Sequence, residues 1–309
     1  MKFITFCSKS GKETPGILLE DLKTVVDLSG KFGSVLEIVE GGETALEEAS
    51  ELQQSKKKTV FIADITLKAP IPVPAQIRDC MMFEKHLQQA SNQFAKRYYG
   101  LLGKILVALG AVKIPKVWYQ QPIYYKANRF SVIGHEEDVI WPCYSDLMDF
   151  ECEIAVIIGK KGKDIPKDRA LDHVFGYLIF NDMSARDAQF QEMKGRLGPS
   201  KGKDFDTGNI LGPWLVTKDE IKDPYNLTMI ARVNGEEWGR GNSSEMYHRF
   251  EDLIAHVSKS ETLYPGECLG SGTVGNGCGL EHNRFLNPGD VVELEIDKLG
   301  VLRNKIVKL

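Results

Sequence analysis

Residues 149–159 read DFECEIAVIIG, a stretch whose alternate positions carry opposite chemistry. Side chains alternate across a strand, so Asp149, Glu151 and Glu153 share one face while Phe150, Cys152, Ile154, Val156 and Ile158 share the other. The apolar face belongs in a core. On the acidic face, two carboxylates about 7 Å apart point the same way just before the strand turns wholly apolar at Ala155, which is costly without compensating positive charge. A bound cation supplies such charge. Solvated acids on an exposed strand face are the competing reading of an E-x-E pair.

The next informative stretch is GYLIFNDMSARDAQFQ, residues 176–191. Gly176 to Phe180 is a continuous apolar run, as expected of a strand buried on both faces, and it stops at Asn181-Asp182. Ser184 is then placed to cap a helix over 184–193, on which Arg186 and Gln189 share a face. Asp182 sits at the end of a central strand, where functional groups collect, although a capping role would also put an acid there.

Working outward, residues 1 to about 70 read as short strands (FITFC, TPGILLE, KTVVDLS), a polar helix near 43–54 and a strand at VFIADITL. The Pro-rich LKAPIPVPAQ can continue neither a helix nor a central strand. A small β-rich N-terminal domain over 1–70 and a larger catalytic domain over 71–309 are therefore expected. In the larger part, a helix is expected from about Met81 to Leu109, strands at DVIWP, VFGYLIFN and GPWLVT, and a helix near 251–258. GDVVELEIDKLGVLRNKIV alternates as a C-terminal hairpin. Strands outnumber helices without alternating regularly with them, which predicts an α+β fold with a mixed β-sheet roll rather than a doubly wound one.

Bulk properties exclude several classes. Among 309 residues, 42% are hydrophobic and 27% charged, as in ordinary globular proteins, and no apolar run approaches the ~20 residues of a membrane span. The six cysteines are scattered without a C-x-x-C pair, so reduced thiols are expected, with neither a zinc site nor a disulfide framework. A net charge of −4 and a lysine run at Lys56–Lys58 without interleaved aromatics argue against a nucleic-acid partner. MKFITFCSKSGK has too short an apolar stretch for a signal peptide, so a cytoplasmic protein without a membrane partner is the expectation.

Taken together, DFECEIAVIIG, FNDMSARDAQ, KGKDFDTGNILGPW and SGTVGNGCGLE resemble, in order, the blocks of the fumarylacetoacetate hydrolase family, and LGVLRNKIV resembles its C-terminal hairpin. The resemblance runs from about Asp79 to the end of the chain. It implies that Glu151, Glu153 and Asp182 ligate a divalent metal, with Asp79 as a fourth ligand. An all-oxygen set suits Mg²⁺ or Mn²⁺, with Ca²⁺ also admissible. In RDCMMFEKHLQQ, Asp79 opens the helix that carries His86, which by the same resemblance is the base that activates water. Smaller members of the family place a Glu three residues after the His, whereas Gln89 stands here. Glu281 in GCGLE is the substitute partner, unless it is only a structural acid at a loop end.

Lys203 resembles the family lysine that stabilises developing enolate charge; its spacing to Phe205 and Thr207 favours it over Lys201. Arg186, Gln189 and Tyr125 are implied substrate contacts. GSGTVG, residues 270–275, satisfies G-x-G-x-x-G but lacks a βαβ context, so it is read as a loop whose N–H groups and Thr273 hydroxyl hold a substrate carboxylate. The resemblance implies a metal-dependent hydrolase that cleaves a carbon–carbon bond in an acylpyruvate or other 1,3-dicarbonyl 2-oxo acid, acting as a homodimer. Oxaloacetate decarboxylation, 2-oxo-alkenoate hydration and enol–keto tautomerisation use the same site and remain open. A non-catalytic binding module is the rival from another class.

Overall fold

Every residue of the Val174–Asp182 strand is buried, as the unbroken apolar run predicts. The computed structural model describes residues 1–8 and 11–309. Within them Val174–Asp182 is central to a 12-stranded mixed sheet. Its main path runs Thr59–Phe61, Thr24–Asp27, Glu13–Leu18, Lys2–Cys7, Asn209–Thr217, Val174–Asp182, Cys152–Ile158, Glu267–Gly270, Gln76–Cys80 and Tyr124–Ala127. Most pairs are antiparallel, but Glu267–Gly270 runs parallel to Gln76–Cys80. A second sheet of five strands contains the C-terminal hairpin, Val291–Ile296 with Gly300–Val307. Mixed sheets with helices packed on them make this an α+β fold.

Strand alternation decides which residues enter which core. From the Cys152–Ile158 strand, Cys152, Ile154, Val156 and Ile158 join the larger cluster, with Ala231, Leu294 and Leu302 of the second sheet. Ala155 and Ile157 face the other way, into a cluster with Leu178, Phe180 and the helix residues Val35, Ile38 and Val39. Glu153 lies on the Ala155 and Ile157 side, and Asp182 follows Phe180 and Leu178 on the corresponding side of its own strand. The N-terminal strands continue the same sheet, because Lys2 and Phe3 pair with Val216 and Leu215.

Several elements depart from the sequence-based expectation for local reasons. The first helix is longer than expected, Val35–Ser55, with the Ser34 hydroxyl accepting from the Glu37 N–H and a bend at Gly42, where φ is 60°. The adjacent Gly41-Gly42 hides the apolar face that continues on its N-terminal side. The second long helix is Glu84–Ala108 and bends at Gly100, where φ is 53°. Asp79 therefore does not open this helix; it remains in the Gln76–Cys80 strand, paired with Gly270. VFIADITL is interrupted by a helical turn at Ile62–Asp64. The helix expected from Ser184 begins at Arg186, because Ser184 pairs with Asp149 in a two-residue strand. All six cysteines are free, and among the described residues no helix is long and apolar enough to cross a membrane.

Leu178 is wholly buried at the centre of the sheet. Leu178→Ala should cost about 2–5 kcal/mol, the range for deleting a leucine side chain in a packed core. Urea unfolding at a fixed divalent-cation concentration measures it, and a loss below about 1 kcal/mol would show that the sheet centre is not tightly packed.

Candidate metal centre and active site

Three strand ends deliver the acids. Asp79 ends one edge of the central group of strands, Glu153 opens its neighbour but one, and Asp182 closes the strand beside that. Glu151 precedes its strand and is bridged through its backbone to Cys278. The four carboxyls are buried, and each offers an oxygen within 4.8 Å of the others. Gly270 makes the convergence possible. A Cβ at Gly270 would stand 2.5 Å from Asp79 Oδ1 and 3.0 Å from Glu153 Oε2, so a side chain would push both acids aside.

Two buried cations face these acids. Lys203 Nζ donates to Asp182 Oδ2 at 2.5 Å, Ser184 Oγ at 2.7 Å and Glu151 Oε2 at 2.8 Å. Arg186 Nη2 lies 2.8 Å from Glu151 Oε1, and its Nε donates to Asp149 Oδ2 at 2.8 Å. These charges act unevenly on the acids. Burial, and then the charge of Asp79, pushes the Glu153 carboxyl well above its ordinary range, and the two acids share a hydrogen bond. Burial also raises Asp182, against the pull of Lys203. Burial works against ionisation of Glu151 as well, but Lys203 and Arg186 outweigh it and hold that carboxyl below its usual range. Lys203 is itself raised, since Asp182 and Glu151 overcome its own desolvation.

This donor set fits a hard divalent cation. Glu153 Oε1 and Asp182 Oδ1 are buried without a hydrogen-bond partner, which is costly in a dry interior and natural for an oxygen that ligates a metal. All four donors are carboxylate oxygens, as Mg²⁺ or Mn²⁺ prefers.

Beside the acids stands a second pair. His86 Nδ1 lies 3.1 Å from Glu281 Oε1, and both residues are buried. Glu281 Oε2 accepts from the Cys278 N–H at 3.1 Å, which fixes the carboxylate from behind. Gln89 instead donates to Asn276 Oδ1 at 2.8 Å. Tyr125 Oη donates to Asp182 Oδ2 at 2.6 Å, so its polar end faces the acid cluster. Gln189 Oε1 accepts from Arg186 Nη1 at 2.9 Å. Thr273 Oγ1 is buried and without a partner, next to Gly272, whose N–H donates to Glu153 Oε2 at 2.9 Å. All the sequence-derived site residues thus fall in one connected region.

Two residues there do something other than expected. Asp149 does not extend the acid row: its oxygens bind Arg186 and accept from the Gly279 and Leu280 N–H groups at 2.8 and 2.9 Å. Asp149 therefore ties the Arg186 helix to the segment that carries Glu281. Ser184 is not a helix cap. Its hydroxyl is an acceptor for Lys203 and a donor to the Asp182 carbonyl.

A buried cluster of four carboxyls that could hold a cation, with a buried His–Glu pair beside it, is thus set in an α+β fold of mixed sheets. The fumarylacetoacetate (FAA) hydrolase C-terminal model matches residues 83–307, and the chain belongs to that family of enzymes. It is similar to the mitochondrial oxaloacetate tautomerase fahd2 of Xenopus laevis, with 35% identity over 99% of this chain and 90% of that protein. Similarity to the mitochondrial oxaloacetate tautomerase Fahd2a of Rattus norvegicus is 36% over 89% of this chain and 80% of the relative. Among solved structures, the fumarylacetoacetate hydrolase of Exiguobacterium antarcticum superposes over 100% of both chains with a TM-score of 0.77 and 25% identity.

Metal addition should stabilise the protein. At a concentration about a hundredfold above its Kd, Mg²⁺ or Mn²⁺ should add about 2.7 kcal/mol, seen as a rise of several degrees in Tm that a chelator reverses. Gly270→Ala should abolish that rise by displacing Asp79 and Glu153, and an unchanged metal-dependent shift in Gly270→Ala would remove these two acids from the ligand set.

Proposed function

We propose that this chain is a divalent-metal-dependent enol–keto tautomerase of 2-oxo acids, with oxaloacetate as the first substrate to test. The observation that carries the reading is the buried His86–Glu281 pair at 3.1 Å beside the four-carboxylate centre, since it provides a proton carrier where a 2-oxo acid would lie. The two curated relatives named for oxaloacetate tautomerisation support it. They move tautomerisation ahead of the hydrolysis that the sequence resemblance puts first.

Asp79, Glu151, Glu153 and Asp182 are the proposed ligands for Mg²⁺ or Mn²⁺. The cation, when bound, supplies Lewis acidity toward the carbonyl and carboxylate oxygens of the substrate. Glu281 accepts from His86 Nδ1–H and so keeps the opposite nitrogen, Nε2, free to take a proton. His86 Nε2 removes the proton from the carbon next to the 2-oxo group. The electron pair of that C–H bond shifts toward the 2-oxo oxygen, where the fixed charge of Lys203 lowers the energy of the developing anion. Return of the proton to that oxygen completes the enol. Arg186, Gln189 and Tyr125 orient the substrate, and the partnerless Thr273 hydroxyl donates to its carboxylate, the Ser271, Gly272 and Val274 N–H groups being already engaged. A homodimer is part of the proposal by analogy with the family, and sedimentation of a pure monomer would remove it.

A second reading, hydrolysis of an acylpyruvate, is favoured by the same pair, because His86 supported by Glu281 is equally able to take a proton from water. The assays separate the two. Decay of the oxaloacetate enol absorbance without pyruvate release identifies the tautomerase, whereas pyruvate release from an acylpyruvate identifies the hydrolase. His86→Ala should lower kcat about 10²–10⁴-fold with Mg²⁺ or Mn²⁺ present, the usual contribution of a positioned acid–base group. Glu281→Gln should keep the metal-dependent rise in Tm while lowering kcat. Full tautomerase activity in His86→Ala would sink the mechanism.

A further inference from the structure

The cysteine next to the proton carrier is not used by the mechanism above. Cys278 Sγ lies 4.0 Å from His86 Nδ1, which in turn lies 3.1 Å from Glu281 Oε1. The three ligand atoms are all within 4.8 Å of one another, and all three residues are buried. Bonds of about 2.3 Å to sulfur and about 2.0 Å to nitrogen or oxygen place tetrahedral zinc ligands about 3.3–3.5 Å apart. The S–N spacing is about half an ångström longer than that and the N–O spacing slightly shorter, and the remaining S–O pair lies within 4.8 Å, so side-chain rotation would close the set around one ion. Its backbone is already held: Cys278 N–H donates to Glu281, and Asp149 takes the next two N–H groups.

We propose that His86, Cys278 and Glu281 form a second, inhibitory metal site for a borderline or soft cation such as Zn²⁺ or Cd²⁺. The two centres divide metals by ligand chemistry. Four carboxylates select a hard ion, whereas thiolate, imidazole and one carboxylate select a softer one that Mg²⁺ cannot displace. Binding releases the thiol proton to solvent, shifts the imidazole proton from Nδ1 to Nε2 and forms metal–sulfur and metal–nitrogen bonds, with water in the fourth position and no change in oxidation state. The ion takes the Nδ1 position from which Glu281 orients the ring, so His86 loses its part in proton transfer. That kinetic consequence rests on the proposed role of His86. The site itself does not.

The test uses full-length, Mg²⁺-saturated protein carrying Cys7→Ser and Cys143→Ser, which removes the more accessible thiols. Cd²⁺ titration should raise one equivalent of ultraviolet Cd–thiolate charge-transfer absorbance. Cys278→Ser should abolish the band, Cys278→Ala should do the same if serine perturbs folding, and His86→Ala should weaken binding about tenfold or more. No band in the parent, or a band that survives in both Cys278 variants, overturns the site. With oxaloacetate as substrate, Zn²⁺ should inhibit the parent at concentrations about tenfold below those needed for Cys278→Ser. Equal inhibition of both would place the zinc effect at the carboxylates and overturn the inhibitory role. A Cd²⁺ band in a protein without tautomerase activity would instead refute the proposed function and leave the soft-metal site standing.

Discussion

Four carboxyls brought together in a dry interior create the constraint on which the rest of the site depends. Ions of like sign a few ångströms apart repel strongly at low dielectric, and each also loses its hydration on burial. Lys203 and Arg186 offset part of this, chiefly at Glu151, while burial and the charge of Asp79 push Glu153 up. The remaining deficit of positive charge is what a divalent cation satisfies. The fold meets the geometric half of the problem with strand ends, which hold Cα positions more rigidly than loops do. Gly270 completes it by leaving room on the face that all three strand-borne acids share.

Asp149 links this charge cluster to the acid–base pair. Its carboxylate is fully buried and engages Arg186 and two successive backbone N–H groups, so one side chain positions both the Arg186 guanidinium and the segment holding Glu281. Burial raises its pKa, and the Arg186 charge and the hydrogen bonds oppose that rise. A carboxylate used in this way is a positioning group, and its contacts make the orientation of Arg186 and of Glu281 interdependent.

How legible the site was depends on whether a local rule was enough. Alternation along DFECEIAVIIG separates Glu153 from the apolar core residues, and the end of the apolar run at Phe180 marks Asp182; both follow from strand period and burial. The metal-ligand role of Asp79 and the place of Lys203 came only from resemblance, because nothing local distinguishes either from an ordinary strand acid or surface lysine. His86 and Glu281 are 195 residues apart in the chain, and only the fold makes them a pair. Asp149 was expected in one row with Glu151 and Glu153, but a single unbroken strand does not run through them: Asp149 pairs with Ser184, and Glu151 bridges to Cys278. The same break explains Ser184, whose backbone is occupied in that short pairing before the helix begins. Gly42 and Gly100 bend helices that periodicity alone would draw straight.

The two halves of the site are built from different materials, and this bears on how one family can host several reactions. The acids sit on the main sheet, where a shift of one residue would turn them to the opposite face. His86 sits in the first turn of a helix that bends at Gly100, and Glu281 sits in a four-residue helix held by caps. Those elements remain tied to the acids, because Glu151 bridges to Cys278 and Asp149 joins Arg186 to the Gly279 and Leu280 N–H groups. Gln89, three residues after His86, turns to Asn276, and Glu281 is the carboxylate that reaches the His86 ring. The acids are thus placed mainly by the sheet, and the His86–Glu281 pair by a helix and a loop brought against it.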